Sequence, residues 1–333
     1  MTYIILFEKP LGKSEGLQDV NAFFYVKDVD EYPVYAITIP TADAYPVRGD
    51  LYLPLSGAKA IVLLCHGFKG YKTWGFLPYL SEKLRQAGVA ALSLDMSFNG
   101  TFSSQDSPRA TRAGNGGMQK PLYERPDLFE RNTLKREYHD LLFAVRYISE
   151  GGLKNHLRTP LSIGLFGHSR GGITAMLNAI EQPAVEALCT WSVTDDPDFF
   201  TAEQKKKWRH EGKYYFVDST DGTRLGVDID YLDDLEENHD FYHLAERASE
   251  LRVPHLIVHG KVDMVVPVDC ALILHHAEQQ LKQKRLLVLQ TGHTFGIPYP
   301  PPALPTPPST ALKQATEETV LWFSTILGAG SSS

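Results

Sequence analysis

A hydroxyl becomes a useful nucleophile only where the backbone pushes it out of the chain and a base can reach it. Gly167-His168-Ser169-Arg170-Gly171-Gly172 meets the first condition, because it fits the pattern G-x-S-x-G. The apolar run Leu161 to Phe166 reads as a strand leading into it, and Gly171 to Ile180 begins a helix leading out. A strand-to-helix turn that sharp holds its serine strained, with Oγ projecting, and its glycines avoid Cβ clashes. The base and its orienting carboxylate should follow in chain order, each after a later strand. Asp263 lies on the turn beyond Val253 to His259, and His293 follows the strand Leu286 to Gln290. Gly292 and Gly296 would let that last loop bend back towards the serine. Together Ser169, Asp263 and His293 have the types and order needed for acyl transfer through a serine-bound intermediate.

Such chemistry also needs two backbone N–H groups for the oxyanion. One belongs to Arg170, the residue after the nucleophile. The other is expected from Phe68, in the loop His66-Gly67-Phe68-Lys69-Gly70 after the strand Ala60 to Cys65, with Gly67 turning the N–H inward. Asp95, with Ser97-Phe98-Asn99-Gly100, reads as a structural support for neighbouring loops. His66 and His168 read as packing or hydrogen-bonding residues. His275 and His276 are adjacent on a helix and cannot share a face, so they are not expected to hold a metal. With no HExxH motif or cysteine cluster elsewhere, no metal or other cofactor is expected.

The elements that must position these residues alternate between strand and helix. Tyr35 to Pro40 and Arg48 to Leu53 alternate in the strand manner and should pair antiparallel about Ala44-Tyr45-Pro46. Ala60 to Cys65 and Val89 to Leu94 are continuous apolar runs, the pattern of strands buried on both faces. Helices are expected over Phe76 to Ala87, Leu134 to Glu150 and Thr310 to Leu327, and a further strand over Val185 to Val193. This rhythm means an α/β fold with a mostly parallel sheet flanked by helices. Residues 195–250 break it, with dense charge and a hairpin expected at Lys213 to Asp230 turning at Asp221-Gly222. They read as a small inserted cap or lid. Trp191, Phe199, Phe200, Trp208, Tyr214, Tyr215 and Phe216 would anchor that segment to the sheet or line an apolar pocket over Ser169. The remaining divisions are an extension over 1–34, a core over 35–194 and 251–327, and a disordered tail over 328–333. An irregular loop is expected over 97–120 and a Pro-rich surface loop over 298–308.

Composition excludes several other classes. The 333 residues are 43% hydrophobic and 22% charged, which is ordinary for a globular chain. Lys and Arg total 33 against 40 Asp and Glu, giving −7, so no nucleic-acid or anionic-membrane partner is expected. The short basic run Lys205-Lys206-Lys207 reads as a solvated helix face. Cys65, Cys189 and Cys270 are unpaired by spacing, which suits a reducing compartment. Tyr3 to Phe7 is too short for a signal-peptide core, and no run approaches the ~20 apolar residues of a membrane span. A cytoplasmic protein with a small-molecule substrate is expected; the oligomeric state is open.

His-Gly-Phe at 66–68, Gly-His-Ser-Arg-Gly-Gly at 167–172, His-Gly-Lys-Val-Asp-Met-Val-Val-Pro at 259–267 and Gly-His at 292–293 appear in the order and approximate spacing of the α/β-hydrolase superfamily. The chain resembles that superfamily from about Tyr35 to Leu327. Within it, the chain is similar to dienelactone-hydrolase-like esterases, feruloyl or cinnamoyl esterases and the catalytic domain of prolyl-oligopeptidase-type peptidases. Dienelactone hydrolases use a cysteine where this chain has Ser169. The resemblance implies an α/β-hydrolase fold and a cofactor-independent serine hydrolase acting on a carboxylic ester. The same machinery would also serve amide or peptide cleavage, or acyl transfer to an acceptor other than water. A catalytically silent binding module is the reading outside enzymes, and it has no reason to keep nucleophile, acid, base and hole motif together.

Overall fold

A computed structural model describes residues 33–101, 123, 125–158, 160–217, 224–298 and 307–328. The expectations for the extension, the loop 97–120, the Asp221-Gly222 turn, the Pro-rich run and the tail lie wholly or mostly outside those residues.

In chain order the elements are β1 (Val34–Ile39), β2 (Val47–Tyr52), β3 (Ala60–Cys65), α1 (Leu77–Gln86), β4 (Ala90–Asp95), α2 (Pro126–Glu130) and α3 (Leu134–Ser149). Then come β5 (Ser162–His168), α4 (Arg170–Glu181), β6 (Val185–Trp191), α5 (Ala202–Glu211), β7 (Lys213–Val217) and β8 (Arg224–Asp228). The chain closes with α6 (Ile229–Glu237), α7 (His239–Tyr242), α8 (Leu244–Arg247), β9 (His255–Gly260), α9 (Val268–Ala277), β10 (Lys284–Leu289) and α10 (Thr310–Ile326). Eight strands form one sheet in the order β1-β2-β4-β3-β5-β6-β9-β10. β1 pairs antiparallel with β2, and β2 with β4, while all pairs from β4 onwards are parallel.

The continuous apolar run of β3 follows from burial on both faces. Ile61, Leu63 and Cys65 enter one core together with Leu141, Ala144 and Val145 of α3 and Ile173 and Leu177 of α4. Val62 and Leu64 point the other way, into a second core with Leu80 and Leu84 of α1 and Leu312 and Phe323 of α10. Strand periodicity of two sends successive side chains to the two cores, so no position in β3 tolerates a polar residue cheaply. Because the parallel strands share a direction, their C-terminal ends lie along one edge. Loops from β3, β5, β9 and β10 all leave the sheet there, the edge at which open α/β sheets bind ligands.

Between β6 and β9 the chain leaves the sheet to build α5, the β7–β8 hairpin, α6, α7 and α8. A capping box between Thr201 and Gln204 starts α5, and Gly212, in the left-handed region at φ 71°, ends it. The hairpin is shorter than the expected Lys213 to Asp230: β8 stops at Asp228, and Ile229 already begins α6. Trp208 is fully buried and donates its indole N–H to the Val227 carbonyl at 3.0 Å, fastening α5 to the hairpin. The segment is also tied to the sheet's own helices. Asp234 accepts the Lys135 backbone N–H at the start of α3, at 2.9 Å, and Arg247 pairs with Glu181 of α4. The aromatics named from the sequence divide. Trp208 and Tyr214 pack inside the segment, Phe199 and Tyr215 are exposed, and Trp191 belongs to neither role, lying beneath the β5–α4 turn against Phe76, Phe166 and Phe295.

Candidate active site

Ser169 occupies the turn between β5 and α4 with φ 54° and ψ −124°, a strained backbone for any residue with a side chain. Two bonds hold it there: its N–H donates to Trp191 O at 2.8 Å, and its carbonyl accepts the Gly172 N–H at 2.8 Å. The flanking glycines are required by contact. A Cβ on Gly167 would lie 2.2 Å from the Gly171 carbonyl oxygen, and one on Gly171 would lie 2.3 Å from the His66 carbonyl oxygen. α4 therefore starts pressed against the end of β3, with its free N–H groups beside the serine. Ser169 is partly exposed, and among the described residues its hydroxyl has no hydrogen-bond partner.

Asp263 and His293 meet, with Nδ1 of the imidazole 2.8 Å from Asp263 Oδ2. The carboxylate's other oxygen accepts the backbone N–H groups of Val265 and Val266, each at 2.9 Å. Burial alone would push this carboxyl up. The hydrogen bond and charge of His293, with the two amides, outweigh burial and hold it at about 2. A group with a lowered folded pKa stabilises the fold above its ordinary value of 3.8, and that contribution is lost as pH falls towards 2. Wild type should therefore exceed Asp263→Asn in stability by about 2 kcal/mol at neutral pH. The gap should close between pH 3.8 and 2 in urea unfolding series.

The loops carrying Asp263 and His293 approach so closely that the last residue of β9 must lack a side chain. A Cβ on Gly260 would sit 2.5 Å from the Thr291 carbonyl oxygen and 2.9 Å from that of Gly292. Beyond His293 the chain bends at Phe295, φ 55°, and at Gly296, φ 85°, the second of the two glycines expected to turn it. Phe295 tolerates this because its ring is wholly buried against Trp191 and Phe76.

The His66–Gly70 loop closes through a Gly70 N–H to Gly67 carbonyl bond of 2.9 Å. It lies beside the serine, since a Cβ on Gly67 would fall 3.2 Å from Ser169 Cβ. The Phe68 ring is covered by the Arg170 guanidinium at 5.3 Å and packs on Phe129 and on Phe216 of β7. Arg170 is itself buried, donating to Glu137 Oε2 at 2.9 Å and lying over the Tyr231 ring at 4.7 Å. Asp95 holds the Lys72 N–H and the Asn99 side-chain amide, consistent with loop support. His66 bonds the Gly67 carbonyl through Nδ1.

Two contacts escape sequence reasoning. His168 Nε2 lies 3.0 Å from the His293 carbonyl oxygen. His259, wholly buried, bonds the Val266 carbonyl and comes within 3.6 Å of Asp263 Oδ2. Phe216, one of the aromatics named from the sequence, reaches the Phe68 loop from the 195–250 segment. Among the described residues no group of three His, Cys, Asp or Glu side chains could hold a metal ion. No helix among them is long and apolar enough to cross a membrane.

No family model matches the sequence, and a search of curated proteins returns no match. Solved structures do match. Dienelactone hydrolase from Anabaena variabilis is 20% identical, with a TM-score of 0.54 over 89% of this chain and 99% of that one. Est1E from Butyrivibrio proteoclasticus, with ferulic acid bound, is 20% identical at a TM-score of 0.60, over 88% and 100%. Mouse alpha/beta hydrolase domain-containing protein 10 is 15% identical at 0.60, over 89% and 100%. At these identities the likeness is one of fold.

Proposed function

The chain has the α/β-hydrolase fold, and we propose that on it the protein is a serine hydrolase that cleaves a carboxylic ester. The observation that carries the reading is the convergence on one sheet edge of a strained, partly exposed Ser169 and a hydrogen-bonded His293–Asp263 pair. In this mechanism Ser169 attacks the carbonyl as His293 takes its proton. Asp263, ionised and fully hydrogen-bonded, fixes the imidazole tautomer and stabilises the imidazolium. The N–H groups of Phe68 and Arg170 receive the oxyanion, and His293 returns the proton to the leaving alcohol. Water then repeats the sequence to release the acid. The Ser169–His293 hydrogen bond forms as substrate enters, as such bonds commonly tighten only in the complex.

The names of the structural neighbours, a dienelactone hydrolase and an esterase with ferulic acid bound, support hydrolysis of an ester. A fluorophosphonate probe tests the reading directly: wild type is labelled at Ser169, and Ser169→Ala and His293→Ala are not. A folded wild type that takes no label overturns it. Matched ester and amide substrates separate esterase from amidase activity.

The 195–250 segment acts as a cap in this reading, with Phe216 forming part of the wall beside Phe68. Phe216→Ala should raise KM for bulky acyl esters by about tenfold, the size of a lost apolar contact of 1–3 kcal/mol. Acetyl esters should change little. Equal effects on both substrates would remove Phe216 from the acyl pocket.

A further inference from the structure

His168 is buried on the last position of β5, and its ring borders all three parts of the site. On the chain it precedes Ser169. Its Nε2 is 3.0 Å from the His293 carbonyl oxygen, and its ring centroid is 4.8 Å from that of His293. On its third side a Cβ at Gly67, beside the oxyanion donor Phe68, would come within 3.2 Å of its Nδ1. Trp74 stacks on the ring at 5.7 Å and 14°, and Phe76 meets it edge-on at 5.1 Å, so its orientation is set by packing.

A carbonyl oxygen only accepts, so the proton of this imidazole resides on Nε2. Burial, and then the neighbouring His293, push the His168 pKa down to about 3. It therefore stays neutral while an imidazolium forms 4.8 Å away, and the hydrogen bond persists. Asp263 sets which way the His293 ring turns, and the loop before it is held by the Val262 N–H to Thr291 carbonyl bond of 3.1 Å. The His168 Nε2–H is the bond made to the His293 backbone itself, tying it to the residue before Ser169, 125 positions away in sequence.

We propose that His168 is a positioning residue that fixes the backbone of the base against the nucleophile through its Nε2–H. The inference rests on the serine-hydrolase reading above and adds a residue to it. A displacement of about 1 Å can cost about 10²-fold in rate. His168→Phe keeps the ring and loses the donor, so its kcat on p-nitrophenyl acetate should fall about 10²-fold with KM within roughly threefold of wild type. His168→Gln can place an amide N–H at the same carbonyl and should recover about tenfold of that loss. The NMR signal of the Nδ1 proton between His293 and Asp263 should be kept in wild type and Gln, and shifted or broadened in Phe. Wild-type kcat in His168→Phe overturns the proposal. So does a Gln variant as impaired as Phe with an equally lowered unfolding midpoint, because packing alone would then explain both. Should His168→Phe fail to fold, His168→Asn, whose amide falls short of the carbonyl, replaces it and should match the loss expected of Phe. Full turnover by Ser169→Ala would strike the underlying reading instead, and the proton signal would still report the His168 contact.

Discussion

Ser169→Ala should hydrolyse a soluble ester at least about 10⁴-fold more slowly than wild type, since removing a nucleophile leaves only binding and oxyanion stabilisation. Folding should hardly change. The hydroxyl has no hydrogen-bond partner among the described residues, and alanine meets the same strain at φ 54° that serine does. Unfolding free energies should thus agree within about 0.5 kcal/mol, the range of substitutions away from packed features. Steady-state rates and thermal scans on the same preparations check both halves. A variant retaining wild-type turnover would put the nucleophile elsewhere.

Gly171→Ala should damage both stability and turnover. Its new Cβ would lie 2.3 Å from the His66 carbonyl oxygen and 2.6 Å from that of Cys65. Both obstacles are backbone, so no side chain can swing aside. Either α4 retreats from β3 or the His66–Gly70 loop moves, and each shift separates the Arg170 and Phe68 N–H groups proposed to bind the oxyanion. Overpacking of this kind costs about 3 kcal/mol, and loss of one oxyanion donor costs about 10²–10³ in kcat. Gly212→Ala is the matched control. Its Cβ would meet nothing within 4 Å, but φ 71° is unfavourable for alanine. It should cost about 1 kcal/mol and leave kcat unchanged. If Gly171→Ala behaved like Gly212→Ala, the tight packing of the turn would have no catalytic consequence.

What could be read before the structure was what local backbone demands. The turn around Ser169 announces itself because its glycines answer clashes within a few residues. The doubly buried strands do so because both faces must be apolar. Asp263 and His293 were legible only through chain order, and the sheet order, with β6 beside β9 across a long excursion, supplies the reason they meet. α2 went unseen because five residues are too few for a helical period to show. In the 195–250 segment α5 showed in sequence only as the solvated basic face at Lys205-Lys206-Lys207, because Trp208 is its one buried residue, and α6 begins at Ile229, where the hairpin was expected to continue. The bond from His168 to the His293 carbonyl leaves no trace in sequence, because its acceptor is a backbone atom and any residue type supplies one.

That bond also bears on how the protein acquires activity. Ser169 follows β5, a strand in the middle of the sheet, while His293 follows β10, the outermost strand on that side. A nascent chain emerging from the ribosome can close β3, β4, β5 and β6 into a parallel sheet well before residue 293 is made. The strained serine would then exist without its base. Only when β9 and β10 dock, closing a loop of more than a hundred residues, does the site become whole, and contacts of such high sequence separation form slowly. In the proposed mechanism catalytic competence is therefore a late event in folding, and a chain shortened before β10 should be inert.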